Sequence, residues 1–268
     1  MDILEYNRQA WNRESLNDGE WSVPVSEEII SAARNGAWQV ILTPIKPVPK
    51  SWFGNLHGKK ILCLASGGGQ QAPVLAAAGA SVVSFDLSDV QLAKDRKLAD
   101  RDKLDITCIR GDMSDLSQFA VESFDLIFHP VSNVFVPDVE IVWQQCYRVL
   151  KPKGDLLAGF MNPSLFLFDH DESVRTGKTE VKYKLPYAEP DSLDQVGLKE
   201  LEESGRALEF SHSLQTQIGG QLKAGFVIVD LYEDFWSDAV PISKFSPTSI
   251  ATRASKPCVE SVEINCDR

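Results

Sequence analysis

The sequence lacks the features of membrane and secreted proteins. No apolar stretch approaches the ~20 residues that a membrane-spanning helix needs, so no membrane partner is predicted. The opening residues, MDILEYNRQAWNRES, are too polar and too mixed in charge for a secretory signal. The five cysteines show no paired spacing. Cys63, Cys108 and Cys146 fall on predicted strands or a helix core face, which indicates reduced thiols and a cytoplasmic protein, whereas Cys258 and Cys266 are expected to be exposed.

An excess of positive charge is also absent. The chain has 27 Lys and Arg against 38 Asp and Glu, a net charge of -11. The nearest basic cluster, at positions 46, 50, 59 and 60, is too sparse to offset repulsion from a phosphate backbone. We therefore expect a small-molecule substrate and no nucleic-acid partner. The oligomeric state stays open, because apolar surface patches cannot be read from a sequence.

A strand–turn–helix–strand unit occupies residues 60–86. The apolar run at 61–65 predicts a strand buried on both faces, and the glycines at 67–69 end it. An alanine-rich helix is predicted over 70–78 and a second strand over 81–86. This order defines one βαβ unit with a right-handed crossover.

The chemistry expected of this unit follows from its geometry. A glycine turn lets a ligand approach the backbone and presents the N–H groups of a helix N-terminus. Asp86 ends the second strand at the same sheet edge, where a carboxylate can accept both hydroxyls of a ribose. The stretch is a candidate nucleoside-binding site. The G-x-G-x-x-A pattern of Gly67, Gly69 and Ala72 is weak support, since packing also produces glycine turns.

Strands and helices continue to alternate, which predicts a parallel sheet covered on both faces. Further strands are predicted at 105–110, 123–129, 155–160, 226–232 and 248–254, with helices at 88–102, from Pro137 and at 213–224 and a turn at 151–154. No crossover helix separates the last two strands, so they are expected to pair antiparallel.

Two regions lie outside this alternation. The N-terminal part should pack onto the core through its aromatic residues, with helices over 2–15 and 26–35 and an extended stretch at 39–42. Residues 163–204 interrupt the alternation, and 181–187 alternates like a short, half-exposed strand. We expect a single domain, 1–268, with an N-terminal cover (1–58), a core (59–162 and 205–256) and an inserted lid (163–204).

Five motifs in register resemble the class I S-adenosylmethionine-dependent methyltransferases. They are ILCLASGGG (61–69), SFDLS (84–88), GDM (111–113), FDLIFH (124–129) and YRVLKPKGDLLAGF (147–160), followed by the similar QLKAGFVIVDLYED (221–234). The runs LASGGGQQAP and HPVSN resemble a bacterial branch of that family with unassigned acceptors. The resemblance implies a doubly wound, seven-stranded, mostly parallel α/β sheet, Rossmann-like, with an antiparallel last strand.

The resemblance also implies roles for residues at strand ends. The loop of Ser66, Gly67 and Gly69 should wrap the methionine part of S-adenosylmethionine, whose product is S-adenosylhomocysteine. The ribose should lie on Asp86, the adenine on Leu87, Asp112 and the backbone N–H of Met113, and the sulfonium beside His129.

Two positions depart from the family pattern. Where the family usually has an acidic residue, this chain has Cys63, and where it has a glycine, this chain has Ala65. The first departure removes a carboxylate from the network near the cofactor's ammonium group.

Each proposed role has a structural alternative. Asp112 could be a turn residue, and His129 could be a satisfied structural histidine or, as a weak catalytic candidate, a general base. An acidic loop around His170 suggests a solvated surface more than a metal site. Five residues are weaker candidates for substrate contact: Tyr6, Trp38, Ser132, Asn133 and Tyr187.

The function predicted from these residues is methyl transfer from S-adenosylmethionine to an unidentified small molecule. Two alternatives stay open. A nicotinamide-dependent oxidoreductase would share the glycine turn and Asp86, but it would not explain GDM or FDLIFH. A non-catalytic protein that binds S-adenosylmethionine for regulation is compatible with Cys63.

Overall fold

A computed structural model of the protein describes residues 2–237 and 240–258. Cys266 lies outside the described residues. The strands are Lys60–Leu64 (β1), Ser81–Asp86 (β2), Ile106–Arg110 (β3), Phe124–His129 (β4), Leu150–Met161 (β5), Val227–Asp234 (β6) and Ser249–Ser255 (β7). The α-helices are Ile3–Leu16 (α1), Glu27–Arg34 (α2), Gln71–Ala77 (α3), Asp89–Asp102 (α4), Val139–Val149 (α5), His170–Thr176 (α6), Glu189–Ser192 (α7), Gln195–Ser204 (α8) and Gly220–Ala224 (α9).

The strands form one seven-stranded sheet in the order β3-β2-β1-β4-β5-β7-β6. Neighbours from β3 to β5 are parallel, while β7 runs antiparallel to both β5 and β6. This confirms the predicted α/β class and the antiparallel pairing of the last two strands. The strand order reverses between β1 and β4, and a crevice at such a switch point is where open α/β sheets bind ligands.

The central strands of the sheet are buried on both faces, and the alternation of their side chains divides each strand between two apolar clusters. On β1, Ile61 and Cys63 join one apolar cluster, and Leu62 and Leu64 join the other. The second cluster receives the predicted apolar stripe of α5, which includes Trp143. The continuous apolar run of β1 is therefore explained by two covered faces.

Two predicted helix starts are confirmed by their caps. The Ser26 side chain accepts from the N–H of Ile29 at 3.5 Å, and Ser88 accepts from the N–H of Gln91 at 3.1 Å. The predicted start of α5 at Pro137 is two residues early, because Asp138 is the cap and the helix begins at Val139.

Two other local predictions are wrong. The turn predicted at 151–154 is part of β5, because Lys153 and Gly154 pair with the backbone of Lys256 beyond β7. The stretch 181–187 forms no strand and makes one bridge, between Phe168 and Val181. The stretch 39–42, for which only an extended conformation was predicted, makes an isolated bridge between Ile41 and Pro47, and prolines interrupt the segment that pairs with it. Among the described residues, no helix has the length and apolar character to cross a membrane.

Candidate active site

A cavity of about 900 Å³ lies at the carboxyl ends of the parallel strands. One side, here called the sheet-edge wall, consists of lining residues 65–67, 85–87 and 111–114, which follow or end β1, β2 and β3. The other side, the outer wall, consists of lining residues from α1, from the loop 130–138 after β4 and from 204–209, together with Trp236. The volume of the whole cavity is near the upper end of the roughly 300–1,000 Å³ typical of small-molecule sites.

Asp86 ties the glycine loop to β2. Its Oδ2 accepts from the N–H of Gly67 at 2.9 Å, and its Oδ1 accepts from the N–H of Ser88 at 2.8 Å. A side chain at Gly67 would lie 2.8 Å from the Cβ of Gln91 and 3.1 Å from Asp86 Oδ2, so the loop has no room for one. Burial raises the pKa of the Asp86 carboxyl, while its backbone hydrogen bonds act in the opposite direction.

A second carboxylate supports the same loop from below. Asp95 of α4 is fully buried and accepts from the N–H of Gly69 at 2.7 Å and from the hydroxyl of Ser84 at 2.5 Å. Burial raises its pKa from 3.8 to about 7, with a further contribution from the charge of Asp86. Cys63 is fully buried, and burial followed by the charge of Asp95 raises the pKa of its thiol. The carboxylate beneath this loop therefore comes from a helix rather than from β1.

The N-terminal segment packs directly over the glycine loop. The carbonyl of Gly69 accepts from the N–H of Val25 at 2.8 Å, and an added Cβ at Gly69 would lie 2.9 Å from Pro24. Gly69 has a φ of +79°, in the left-handed region that favours glycine. The side chain of Gln70 donates to the carbonyls of Glu20 and Val23. These contacts fix the loop between the cover and α4.

The remaining sheet-edge residues follow β2 and β3. Leu87, Asp112 and Met113 line the cavity. Both oxygens of Asp112 accept from Ser114, one from its backbone N–H and one from its hydroxyl, so Asp112 also forms a turn. Carboxylate oxygens have lone pairs left for a further donor.

The outer wall is mainly apolar and joins distant parts of the chain. The rings of Trp11 and Phe135 pack edge to face at 5.1 Å. Buried Asn7 donates to the carbonyls of Phe135 at 3.0 Å and Leu208 at 3.3 Å, and its Oδ1 accepts from the N–H of Leu208 at 2.7 Å. Arg13 donates to the carbonyl of Gly205 at 2.7 Å. One face of α1 therefore holds the loop after β4 and the segment that follows the insert.

Glu209 places an ionisable group in this apolar wall. Glu209 lines the cavity, and burial, followed by the charge of Glu189, raises its pKa from 4.5 to about 7. The nearby Arg206 pairs with Glu189 at 2.5 Å, and the Glu189 side chain is buried. No residue of the described parts of the chain donates a hydrogen bond to the Glu209 carboxylate.

Of the thirteen predicted site residues, the structure brings seven together around the cavity. These are Ser66, Gly67, Asp86, Leu87, Asp112, Met113 and Ser132. The other six lie outside its lining, and the packing of each shows why. Gly69 turns its N–H away to Asp95 and shapes the loop from outside the cavity.

His129 ends β4, but its ring is fully buried. Its Nδ1 lies 2.9 Å from the carbonyl of Leu64, which can only accept, so Nδ1 carries the proton. The ring packs edge to face on Trp143 at 5.9 Å, and burial lowers its pKa to about 4. This environment is that of a neutral, structural histidine, so the geometry does not favour a general base here.

The four other substrate candidates that fall outside the cavity are held in packing contacts. Asn133 forms a reciprocal amide pair with Gln217, at 3.2 and 3.1 Å. Trp38 packs edge to face on Phe53. Tyr6 and Tyr187 belong to two separate apolar clusters, and Tyr187 stacks on Phe166.

Sequence reasoning did not identify Asn7, Asp95 or Glu209. For Asp95 a signal existed, because it falls in the buried stripe of α4 with Leu92 and Leu98, where a charged residue is unexpected. Asn7 and Glu209 sit in segments without such a pattern. Within 2–237 and 240–258, no group of three or more His, Cys, Asp or Glu side chains is arranged to hold a metal ion.

Comparison with known proteins agrees with this geometry. A family model described as a methyltransferase domain matches residues 62–158. The chain is 48% identical over 254 residues to the uncharacterized methyltransferase YbaJ of Bacillus subtilis (strain 168), covering 95% of this chain and 98% of that protein.

Solved structures share the fold. An S-adenosylmethionine-dependent methyltransferase from Mesorhizobium loti aligns with a TM-score of 0.56 and 20% identity, over 77% of this chain and 94% of its own. A second structure is geranyl diphosphate C-methyltransferase from Streptomyces coelicolor A3(2), solved with Mg²⁺, geranyl diphosphate and S-adenosyl-L-homocysteine. It aligns with a TM-score of 0.59 and 12% identity, over 96% of this chain and 98% of its own.

The chain belongs to the class I S-adenosylmethionine-dependent methyltransferases. It is an enzyme of that family, and its methyl acceptor is unidentified. Membership implies the use of S-adenosylmethionine as methyl donor, and it decides against the nicotinamide-dependent and purely regulatory alternatives.

Proposed function

We propose that this enzyme binds S-adenosylmethionine along the sheet-edge wall and methylates a small molecule held by the outer wall. The observation that carries the proposal is the position of Ser66, Gly67 and Asp86 at one cavity surface, beside a glycine loop with no room for a side chain. S-adenosylmethionine supplies a methyl group already activated on a sulfonium. The protein's task is then to align the acceptor and to exclude water.

The polar groups of the sheet-edge wall fit such a cofactor. The hydroxyl of Ser66 is buried in the cavity wall and has no hydrogen-bond partner among the described residues, so it is free to bond to a ligand. Asp86 carries acceptor oxygens for ribose hydroxyls, and Leu87 offers an apolar surface for a base. Asp112 and the backbone of Met113 lie where the next strand ends, and we assign them to the base's polar edge.

We retain the assignment of 1–58 as cover, of 163–204 as lid and of the whole chain as one domain. The cover contributes α1 and the segment over the glycine loop. Within the described residues of 163–204, Ser204 is the member that lines the cavity. Ser132 lines the outer wall and stays a candidate for substrate contact. A cytoplasmic location is also proposed, because Cys63 and Cys146 are buried free thiols.

The test is calorimetric titration with S-adenosylhomocysteine, with NAD as the comparison ligand. Saturable binding of the first alone is expected. Asp86→Ala should weaken that binding by tenfold to over a hundredfold, on the order of 1.5–3 kcal/mol, because it removes charge-assisted hydrogen bonds. Asp105→Ala is the matched control, since this exposed carboxylate precedes β3, at the amino ends of the parallel strands and away from the cavity. Unchanged affinity in Asp86→Ala would overturn the ribose assignment.

A further inference from the structure

The acceptor side of the cavity has a chemical character of its own. Its surface is mainly apolar, with Trp11, Phe135 and Trp236 as its aromatic members. Polyanionic molecules do not suit it, because the cavity is lined by six carboxylate residues, at positions 2, 14, 86, 112, 138 and 209, and by two guanidinium residues, at 13 and 206. An anion placed there would face net negative charge.

The two guanidinium groups are already engaged within the protein. Arg13 donates to the carbonyl of Gly205 at 2.7 Å, and Arg206 pairs with buried Glu189 at 2.5 Å. Glu189 also accepts from the backbone N–H of Glu209 at 2.8 Å, and its charge helps to raise the pKa of the Glu209 carboxyl. Arg206 thus forms its ion pair with Glu189, whereas Glu209, which lines the cavity, forms no ion pair with any described residue.

Two other carboxylates at the outer wall already accept hydrogen bonds from the protein. Asp2 caps α1 through the N–H of Glu5, and Asp138 caps α5 through the N–H of Glu140. Glu209 differs from both, because no described residue donates to its oxygens, and it differs from Glu14, which is exposed. A half-buried carboxylate without a donor carries a desolvation cost, and a cationic ligand would offset that cost.

We propose that the outer wall binds an apolar amine, whose ammonium group pairs with the carboxylate of Glu209 while its hydrocarbon part packs against the apolar surface that Trp11 and Phe135 form together. The inference rests on the proposed function, since it names the acceptor class for the same cavity. An apolar body and one charge-assisted pair are what a site of this composition recognises.

The experiment uses three probes of similar size that differ in their polar head: 2-phenylethylamine, 2-phenylethanol and phenylacetate. Each is titrated into the full-length protein saturated with S-adenosylhomocysteine. The amine is expected to bind at least tenfold more tightly than the alcohol, and phenylacetate is expected not to saturate. Absence of saturable amine binding up to ~10 mM, or phenylacetate binding equal to the amine, overturns the proposal.

Two variants separate the role of Glu209 from a general charge effect. Glu209→Gln should reduce amine affinity tenfold or more, to near that of the alcohol. Glu200→Gln, an exposed residue of α8 outside the cavity lining, removes the same charge and should leave the preference intact. Equal amine affinity in Glu209→Gln and the unaltered protein contradicts the inference.

A pH series adds a readout that a purely structural role would not change. Amine affinity should rise between pH 6 and pH 8, because the Glu209 carboxyl loses its proton near pH 7 while the amine stays charged. The charged groups around Glu209 are Glu189, Arg206 and Asp171, and buried Asp95 titrates in the same range beneath the glycine loop. We therefore assign to Glu209 only that part of the pH-dependent rise in amine affinity which disappears in Glu209→Gln.

The first step of the experiment separates this inference from the proposed function. If S-adenosylhomocysteine does not bind, the cofactor assignment of the sheet-edge wall fails. If it binds and the amine does not, the cofactor assignment stands and the acceptor inference fails.

Discussion

The two walls of the cavity are built in different ways. Residues 65–114 supply the whole sheet-edge wall, from positions that end or directly follow β1, β2 and β3. The outer wall joins segments from opposite ends of the chain, since Asn7 bonds to Leu208 201 positions away. A site made from successive strand ends follows from local rules, whereas a site made by docking distant segments does not.

The walls also show that a raised pKa has more than one meaning. Asp95 and Glu209 each have a pKa of about 7, and burial is the main cause in both. Asp95 is bonded to Gly69 and Ser84, so its carboxylate holds a loop. Glu209 has no donor within the described residues, and it lines the cavity. The hydrogen-bond partners, rather than the pKa, separate a supporting residue from a candidate binding residue.

The largest expected effect concerns Asp95. Its pKa is raised in the folded state, so the folded protein holds this proton more tightly than the unfolded chain. The resulting stabilisation is complete below about pH 4 and is lost as the pH rises through about 7. In Asp95→Asn, the fall in unfolding free energy between pH 4 and pH 8 should be smaller by about 2–4 kcal/mol, measured by urea unfolding.

The same experiment compares the walls. Glu209→Gln should also reduce the fall in unfolding free energy between pH 4 and pH 8, because the pKa of Glu209 is likewise raised on folding. The two residues have no charged neighbour in common, so the effects of the single variants should add in the double variant. A pH profile that Asp95→Asn leaves unchanged would contradict the burial of a titrating carboxyl beneath the loop.

A smaller effect is expected from Asn7→Ala, which breaks the outer wall alone. The variant loses three hydrogen bonds and leaves buried backbone groups unpaired, so the free energy of unfolding should drop by about 2–3 kcal/mol. Binding of 2-phenylethylamine should be lost, while S-adenosylhomocysteine affinity should change less than threefold. Asn35→Ala, at the exposed end of α2, is the control. An equal loss of both ligands would show that the walls do not act separately.

The smallest effect is expected at the start of the glycine loop. Ala65 has a φ of +49°, where a residue with a Cβ is strained, and its N–H donates to the carbonyl of Phe85 at 2.7 Å. Ala65→Gly relieves the strain but adds freedom to the unfolded chain, so stability should change by less than about 1 kcal/mol. Thermal unfolding tests this expectation, and a loss well above that amount would show that the methyl group of Ala65 contributes to packing.

Much of the fold was predictable because its signals are local. The apolar run of β1, the glycines after it and the caps at Ser26 and Ser88 each act within a few residues. The wrong predictions also have physical causes. Residues 181–187 alternate like a strand but find no partner strand, and 151–154 look like a turn but extend β5 by pairing with the backbone at Lys256. The conformation of such a segment depends on whether a partner strand is available, and the sequence of the segment alone does not contain that information.

The sequence by itself determined the order of the seven strands along the chain, the glycine loop and the placement of Asp86 and Asp112 at adjacent strand ends. These follow because parallel strands bring their carboxyl ends to one edge. Only the tertiary structure decided that His129 is buried against Trp143, that Asn7 links α1 to Leu208 and that Glu209 faces the cavity. Burial and distant contacts arise from the docking of segments, and no local pattern encodes which side chains they enclose.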